Sequence, residues 1–175
     1  MSYERRGVYP GRFQPIHWGH VKVIEWALQR LSELIIVIGS AQESHTLSNP
    51  FTAGERMEMI AAALRDAGID RSRVWIVPLS DIYMNAVWVR YLAMNVPRFR
   101  YAIARNPLVV RLFREAGYEV LTPPPFEREK FSSTNIRKLM LMGSDEWRSM
   151  VPPSVAKIID EIGGVERIRE VAGRD

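Results

Sequence analysis

The stretch Leu34-Ile35-Ile36-Val37-Ile38 is apolar at every position, and all but one of its residues are β-branched. A strand with one wet face alternates polar and apolar residues. This one does not, so it belongs at the centre of a parallel sheet covered by helices on both faces. Around it the chain alternates. Gly7-Val8-Tyr9, Val74-Trp75-Ile76-Val77, Tyr101-Ala102-Ile103-Ala104 and Tyr118-Glu119-Val120-Leu121 read as further short strands. Between them lie helical patterns. Val21, Ile24, Leu28 and Leu31 recur at helical spacing; Thr52 and Glu55 form a T-x-x-E capping box for a helix through about Leu64; a third helix spans about 86–95; Asn106 and Pro107 open a fourth.

Five strands alternating with helices over residues 1–122 imply right-handed crossovers and an α/β, doubly wound (Rossmann-like) parallel sheet. Pro123-Pro124-Pro125 breaks the alternation, and residues 123–175 read as helical: a turn opened by Ser133 or Thr134, then 145–150, 153–162 and 165–172. No internal repeat or linker separates these parts, so 1–175 reads as one domain. No G-x-G-x-x-G follows a strand, which removes the dinucleotide fingerprint of dehydrogenases.

The stretch GRFQPIHWGH, Gly11 to His20, joins the first strand to the first helix. That turn falls at the carboxyl end of a parallel strand, where free N–H groups and the positive end of a helix dipole meet an anion. Gly11 permits close approach, Pro15 stiffens the turn, and Gly19 keeps Cβ away from the helix entrance. Arg12 supplies a planar fork suited to phosphate oxygens, and His17 and His20 can point the same way. The residues alone leave three readings of the histidine pair: solvent-facing, half of a metal site, or phosphate donors. A metal would need further ligands, and the chain offers only His45 and no cysteine, so phosphate leads.

GRFQPIHWGH resembles the (H/T)xGH signature of the nucleotidylyltransferase superfamily, and Ser132-Ser133-Thr134-Asn135-Ile136-Arg137 is similar to its ISSTxIR motif. Both occur in order, at opposite ends of an alternating chain. Gly39-Ser40-Ala41-Gln42, Ser44-His45 and Pro50-Phe51-Thr52-Ala53-Gly54-Glu55-Arg56 resemble the archaeal nicotinamide mononucleotide adenylyltransferases in particular. The resemblance implies transfer of AMP from ATP to nicotinamide mononucleotide, giving NAD and pyrophosphate, with a divalent cation, usually magnesium, carried on the phosphates rather than in a protein cage. It implies catalytic roles for Arg12, His17, His20 and Arg137. It places ATP against Gly11, Arg12, His17, His20, Asn106, Ser132, Ser133, Thr134 and Arg137, and the mononucleotide against Ser40, Asp81, Asn85 and Trp88. It also implies a homohexamer. Two positions depart from the pattern: Ser48 stands where an arginine is expected before Pro-Phe-Thr, and Arg105 precedes Asn106 where glycine is expected.

The bottom-up chemistry agrees with this. Donors come from two places, Arg12, His17 and His20 on one side and Ser132, Ser133, Thr134 and Arg137 on the other, and together they suit a triphosphate. A phosphate-bearing acceptor is already an anion, so attack in line at the α-phosphorus needs no general base. Near a pyridine ring, Trp88 offers an aromatic plane and Asp81 and Asn85 offer polar partners. The plainer readings are that Trp88 is core and that Asp81 and Asn85 cap a helix.

Composition bounds the rest. A net charge of +4 would draw polyanions, but arginine and lysine are scattered rather than blocked, so no nucleic-acid partner is expected. The absence of cysteine fits a reducing compartment, and neither a signal-peptide stretch at MSYERRGVYPG nor a membrane-length apolar run is present; cytoplasmic location without membrane contact is the expectation. Two other functions remain open at this point: a nucleotidylyltransferase with a different phosphate acceptor, and a module that senses ATP or NAD without turnover. Whether nicotinic acid mononucleotide is also accepted is not written in the residues.

Overall fold

The computed structural model describes residues 2–173. Its elements run β1 (Arg6–Gly11), α1 (Trp18–Leu28), β2 (Glu33–Ile38), α2 (Ala53–Asp66), β3 (Val74–Pro78), α3 (Asn85–Asn95), β4 (Tyr101–Ile103), α4 (Pro107–Glu115), β5 (Glu119–Leu121), α5 (Ser133–Leu141), α6 (Pro153–Glu161) and α7 (Gly164–Ala172), with short 3-10 turns at Tyr3–Arg5, Arg71–Arg73 and Asp145–Met150. The five strands form one sheet in the order β3-β2-β1-β4-β5, and every pairing is parallel.

The apolar run behaves as its composition demands. Leu34, Ile36 and Ile38 face a core built with α1, α2 and the C-terminal helices, through Val21, Ile24, Met59, Ile60, Ile136 and Ile159. Ile35 and Val37, with Val8 beside them, face the opposite core, closed by Val89 and Leu92 of α3 and Phe113 of α4. Each fully buried Ile or Val contributes about 1.5–3 kcal/mol relative to exposure, which holds β2 inside the sheet, between β3 and β1, while β1 takes the middle position. Residues after β5 complete the first layer: α6 lies on α2, α7 on α5, and the Asp145–Met150 turn buries Trp147 and Met150 against α5.

Boundaries shift in small ways. The first helix begins at Trp18, so Gly19 and His20 lie within its first turn. The 145–150 segment is 3-10 rather than α-helical. Asn85 opens α3, and Met84 stands at its N-cap without a side-chain bond, so neither Asp81 nor Asn85 caps that helix. Among the described residues no helix is long and apolar enough to cross a membrane.

The strand order reverses between β1 and β4. In an open α/β sheet the crevice at such a point, beyond the carboxyl ends of the strands, is where ligands bind. The turn after β1 opens into it.

Candidate active site

The turn after β1 is held from three directions. Gly11 accepts at its carbonyl the N–H of Gly39 at 2.8 Å, joining the ends of β1 and β2. Gln14, 1% exposed, accepts the Phe51 N–H through Oε1 at 2.9 Å and donates Nε2 to the Phe51 carbonyl at 3.1 Å. From α5, Ser133 Oγ donates to the Pro15 carbonyl at 2.9 Å and Arg137 Nη1 to the Gln14 carbonyl at 2.9 Å. Two segments 118 residues apart in sequence are thereby fastened together. The N-termini of α1 and α5 both border one cavity, through His17 and His20 of the first and Ser132 and Ser133 of the second. Each end offers unsatisfied N–H groups and a partial positive charge.

His17 and His20 form a capping box with imidazoles in place of the usual hydroxyl and carboxylate. His17 Nδ1 accepts the His20 N–H at 3.3 Å, and His20 Nδ1 accepts the His17 N–H at 3.2 Å. The rings stack with centroids 3.7 Å apart. With Nδ1 an acceptor in both rings, the single proton of the neutral imidazole sits on Nε2, which is left as a donor. Burial pushes His17 down to about 3, and burial followed by the neighbouring His17 holds His20 well below the ordinary histidine range. Both rings are neutral donors at neutral pH. Position 19 has room only for glycine, between the His17 ring and Phe131: a Cβ there would lie 2.8 Å from His17 Cε1 and 3.1 Å from Phe131 Cβ.

The cavity measures about 290 Å³. Besides the histidines and serines it is bordered by Tyr9, Arg105, Arg128 and the Pro124-Pro125-Phe126 segment, and among the described residues no carboxylate lines it. Arg105 is steadied by donating Nη1 to the Pro123 carbonyl at 2.6 Å. Burial holds the Tyr9 phenol above its usual value, against the pull of Arg128. Arg12 is exposed, donating Nη1 to Asn49 Oδ1 at 3.4 Å. Arg137 is depressed by burial and then by the charge of Arg12, which places two guanidiniums near one another. Among the described residues no ion pair involves Arg12, Arg105, Arg128 or Arg137. Cations gathered without acids await an anion.

The structure therefore gathers His17, His20, Ser132 and Ser133 in one cavity; Gly11, Arg12 and Arg137 do not border it, although Arg137 braces the turn before α1 through the Gln14 carbonyl. Thr134 is exposed and shares a shallow groove with Arg137 and Ser48. Asn106 spends its side-chain oxygen capping α4, accepting from Leu108 and Val109 at 2.9 and 3.3 Å, and does not border the cavity.

Of the residues expected to meet a mononucleotide, two are drawn together by a third. Gln42 donates Nε2 to Asp81 Oδ2 at 2.9 Å and accepts the Asp81 N–H through Oε1 at 3.0 Å, tying the loop after β3 to the loop bearing Ser40. Trp88 is half-buried, its ring edge-on to Phe113 at 5.6 Å. Asn85 is exposed where α3 meets α4. Neither borders the cavity at the histidines.

Three residues escaped the sequence reading. Arg56 falls three and four places before Met59 and Ile60 on the buried face of α2, and an arginine at that spacing was the available signal. Gln14 carries no periodic mark, and Arg128 lies in an ordinary charged run.

Fold and motif placement define the class first: a cytidylyltransferase-like protein, the family whose model matches residues 8–139. The nicotinamide-nucleotide adenylyltransferase of Saccharolobus solfataricus is 56% identical over 170 residues, covering 97% of this chain and 98% of that one. The enzyme of the same name from Ignicoccus hospitalis is also 56% identical, covering 97% and 99%. The chain belongs to the family of nicotinamide-nucleotide adenylyltransferases. Its fold is shared with a bifunctional NMN adenylyltransferase/ADP ribose pyrophosphatase from Francisella tularensis, complexed with AMP and a manganese ion. That match has a TM-score of 0.75 at 24% identity and covers 97% of this chain, which spans about half (52%) of the Francisella chain.

Proposed function

We propose that this protein transfers AMP from ATP to nicotinamide mononucleotide, forming NAD and pyrophosphate, and that residues 1–175 act as one nucleotidylyltransferase domain. The observation that carries the reading is the fastening of α5 onto the turn before α1, which brings two helix N-termini to one cavity that no carboxylate lines among the described residues. The polyphosphate of ATP lies between them. His17 and His20 donate Nε2–H to phosphate oxygens, Ser132 adds a hydroxyl and Ser133 a backbone N–H, Thr134 contributes from the groove it shares with Arg137, and Arg12 and Arg137 offset the charge that builds on the departing pyrophosphate. Gly11 lets the chain approach the nucleotide, and Asn106 braces the loop beside the nucleoside.

The mononucleotide lies against the loops carrying Ser40 and Asp81, with Asn85 and Trp88 beyond them. Its phosphate attacks the α-phosphorus in line, and as an anion it needs no base. Neither histidine could serve as nucleophile, because Nδ1 holds a backbone N–H and Nε2 carries the proton. The cavity's donors are neutral or cationic, so magnesium or another divalent cation fits only as a companion of the nucleotide's own phosphates, where it would spread their charge. Assembly into an oligomer, a hexamer in this reading, finds support in Met84, Val87 and Met94, which α3 and its N-cap leave exposed. The cytoplasm is the compartment we assign.

The test is pyrophosphate release from ATP and magnesium with nicotinamide mononucleotide, nicotinic acid mononucleotide, phosphopantetheine, or no acceptor. Release that requires a pyridine mononucleotide and yields a dinucleotide is expected, and the two pyridine acceptors rank themselves. Release with phosphopantetheine alone would replace the acceptor. Nucleotide binding without release under any condition would overturn the reading in favour of a sensor.

A further inference from the structure

Arg56 is fully buried, yet it makes no ion pair among the described residues; its guanidinium is spent on backbone carbonyls. Nη1 donates to the Arg12 carbonyl at 2.9 Å and to the Gly39 carbonyl at 2.8 Å. Nη2 donates to the Ser40 carbonyl at 3.0 Å and reaches that of Glu43 at 3.5 Å, while Nε returns to Thr52 at 3.2 Å. One planar fork thus spans the loop after β1 and the loop after β2. Both loops contain a non-glycine residue in the left-handed region, Phe13 at φ 52° and Ser40 at φ 48°, a conformation that needs its surroundings to hold it.

A buried cation is costly, and a lysine would place one compact ammonium where five donors in fixed directions now reach two strands' ends. Burial lowers Arg56 to about 10, with Arg12 adding to the effect, so it remains charged at neutral pH. Gln42, on the second loop, in turn holds Asp81.

We propose that Arg56 is a positioning residue for the transfer reaction: it fixes the spacing between the Arg12 loop, which meets the polyphosphate, and the Ser40 loop, which meets the mononucleotide. This rests on the loop assignments made under the proposed function. In-line attack depends on that spacing, since a displacement of about 1 Å can cost on the order of 100-fold in rate. Arg56 touches neither substrate. Its loss misaligns two bound substrates rather than releasing them.

The experiment compares wild type with Arg56→Lys and Arg56→Gln by thermal melting, amide hydrogen exchange and steady-state kinetics normalised to folded protein. Expected are folded variants in which exchange over residues 11–14 and 39–44 accelerates together. Their kcat should fall by about 30- to 100-fold, with the KM of each substrate within about threefold of wild type. Undiminished kcat per folded molecule, or acceleration in one loop without the other, would overturn the proposal. If wild type shows no turnover, the assigned reaction has failed, and the paired change in exchange still decides whether Arg56 joins the loops. If Arg56→Lys does not fold, Arg56→Gln, which keeps a planar two-donor amide, carries the same comparison.

Discussion

The imidazoles of His17 and His20 cap each other, each accepting through Nδ1 the backbone N–H of the other, with ring centroids 3.7 Å apart. The arrangement does two jobs with one set of atoms. It starts α1, and it fixes the tautomer that leaves Nε2–H as the free donor of each ring. These jobs can be separated.

Asparagine is as good an N-cap as any residue, and glutamine at the third helical position is a normal member of a capping box. The double variant His17→Asn/His20→Gln should therefore keep the helix start and lose the imidazole donors. We expect a melting temperature within a few degrees of wild type and a fall in kcat of about 100- to 1,000-fold, the usual cost of removing preorganised donors from a developing charge. Calorimetry and pyrophosphate release measure the two effects. A variant as active as wild type would remove the histidines from the mechanism.

The buried pair also sets a pH dependence. His17 lies at about 3 and His20 well below its ordinary value, whereas both return to about 6.5 in the unfolded chain. Below that value the unfolded state binds more protons than the folded one. Stability from this source is full above pH 6.5 and declines as pH falls, by up to about 1.4 kcal/mol per pH unit for each histidine. Denaturant unfolding from pH 7.5 to 5 should show this slope in wild type and a shallower one in His17→Asn/His20→Gln. Equal slopes would mean the imidazoles are not held neutral. For the same reason kcat should show no acidic limb centred on pH 6.5.

Gly19→Ala is expected to damage turnover more than folding. Its Cβ would press on the His17 ring at 2.8 Å and on the Phe131 Cβ at 3.1 Å, and the ring must swing away from its cap. Alanine otherwise favours a helix over glycine by about 1 kcal/mol, so the net stability change is small. Kinetics and melting on one preparation decide; unchanged kcat would show that the ring position is not critical.

Trp88→Ala separates core from ligand. Half-buried against Phe113, Trp88 contributes packing, so about 1–3 kcal/mol of stability should be lost. If the indole also stacks on the pyridine ring, KM for the mononucleotide rises while KM for ATP holds. A fall in stability with both KM values unchanged would make it core alone.

Much of this architecture was legible because its causes are local. The continuous apolar run at Leu34–Ile38 could only be a doubly covered strand, and Thr52 with Glu55, or Asn106 with Pro107, announced helices through caps that form within one turn. The motif residues were readable as types. Their mutual arrangement was not, because it comes from contacts across more than a hundred residues: Ser133 to Pro15, Arg137 to Gln14. Arg56 and Gln14 were missed for a related reason. Each acts by donating to or accepting from backbone groups of distant loops, and a backbone group leaves no mark in a sequence. Asp81 was half read: its loop was identified, but its partner Gln42 came only with the structure.

The central claim is that substrates react directly, with neutral histidines stabilising charge and no covalent enzyme intermediate. The stereochemical course at the α-phosphorus tests it most directly, using ATP bearing a single sulfur of known configuration on that phosphorus, with nicotinamide mononucleotide as acceptor. One in-line displacement predicts inversion in the dinucleotide product. Retention would mean two displacements, and hence an adenylylated side chain that this site, with both imidazoles capped at Nδ1 and protonated at Nε2, is built to exclude.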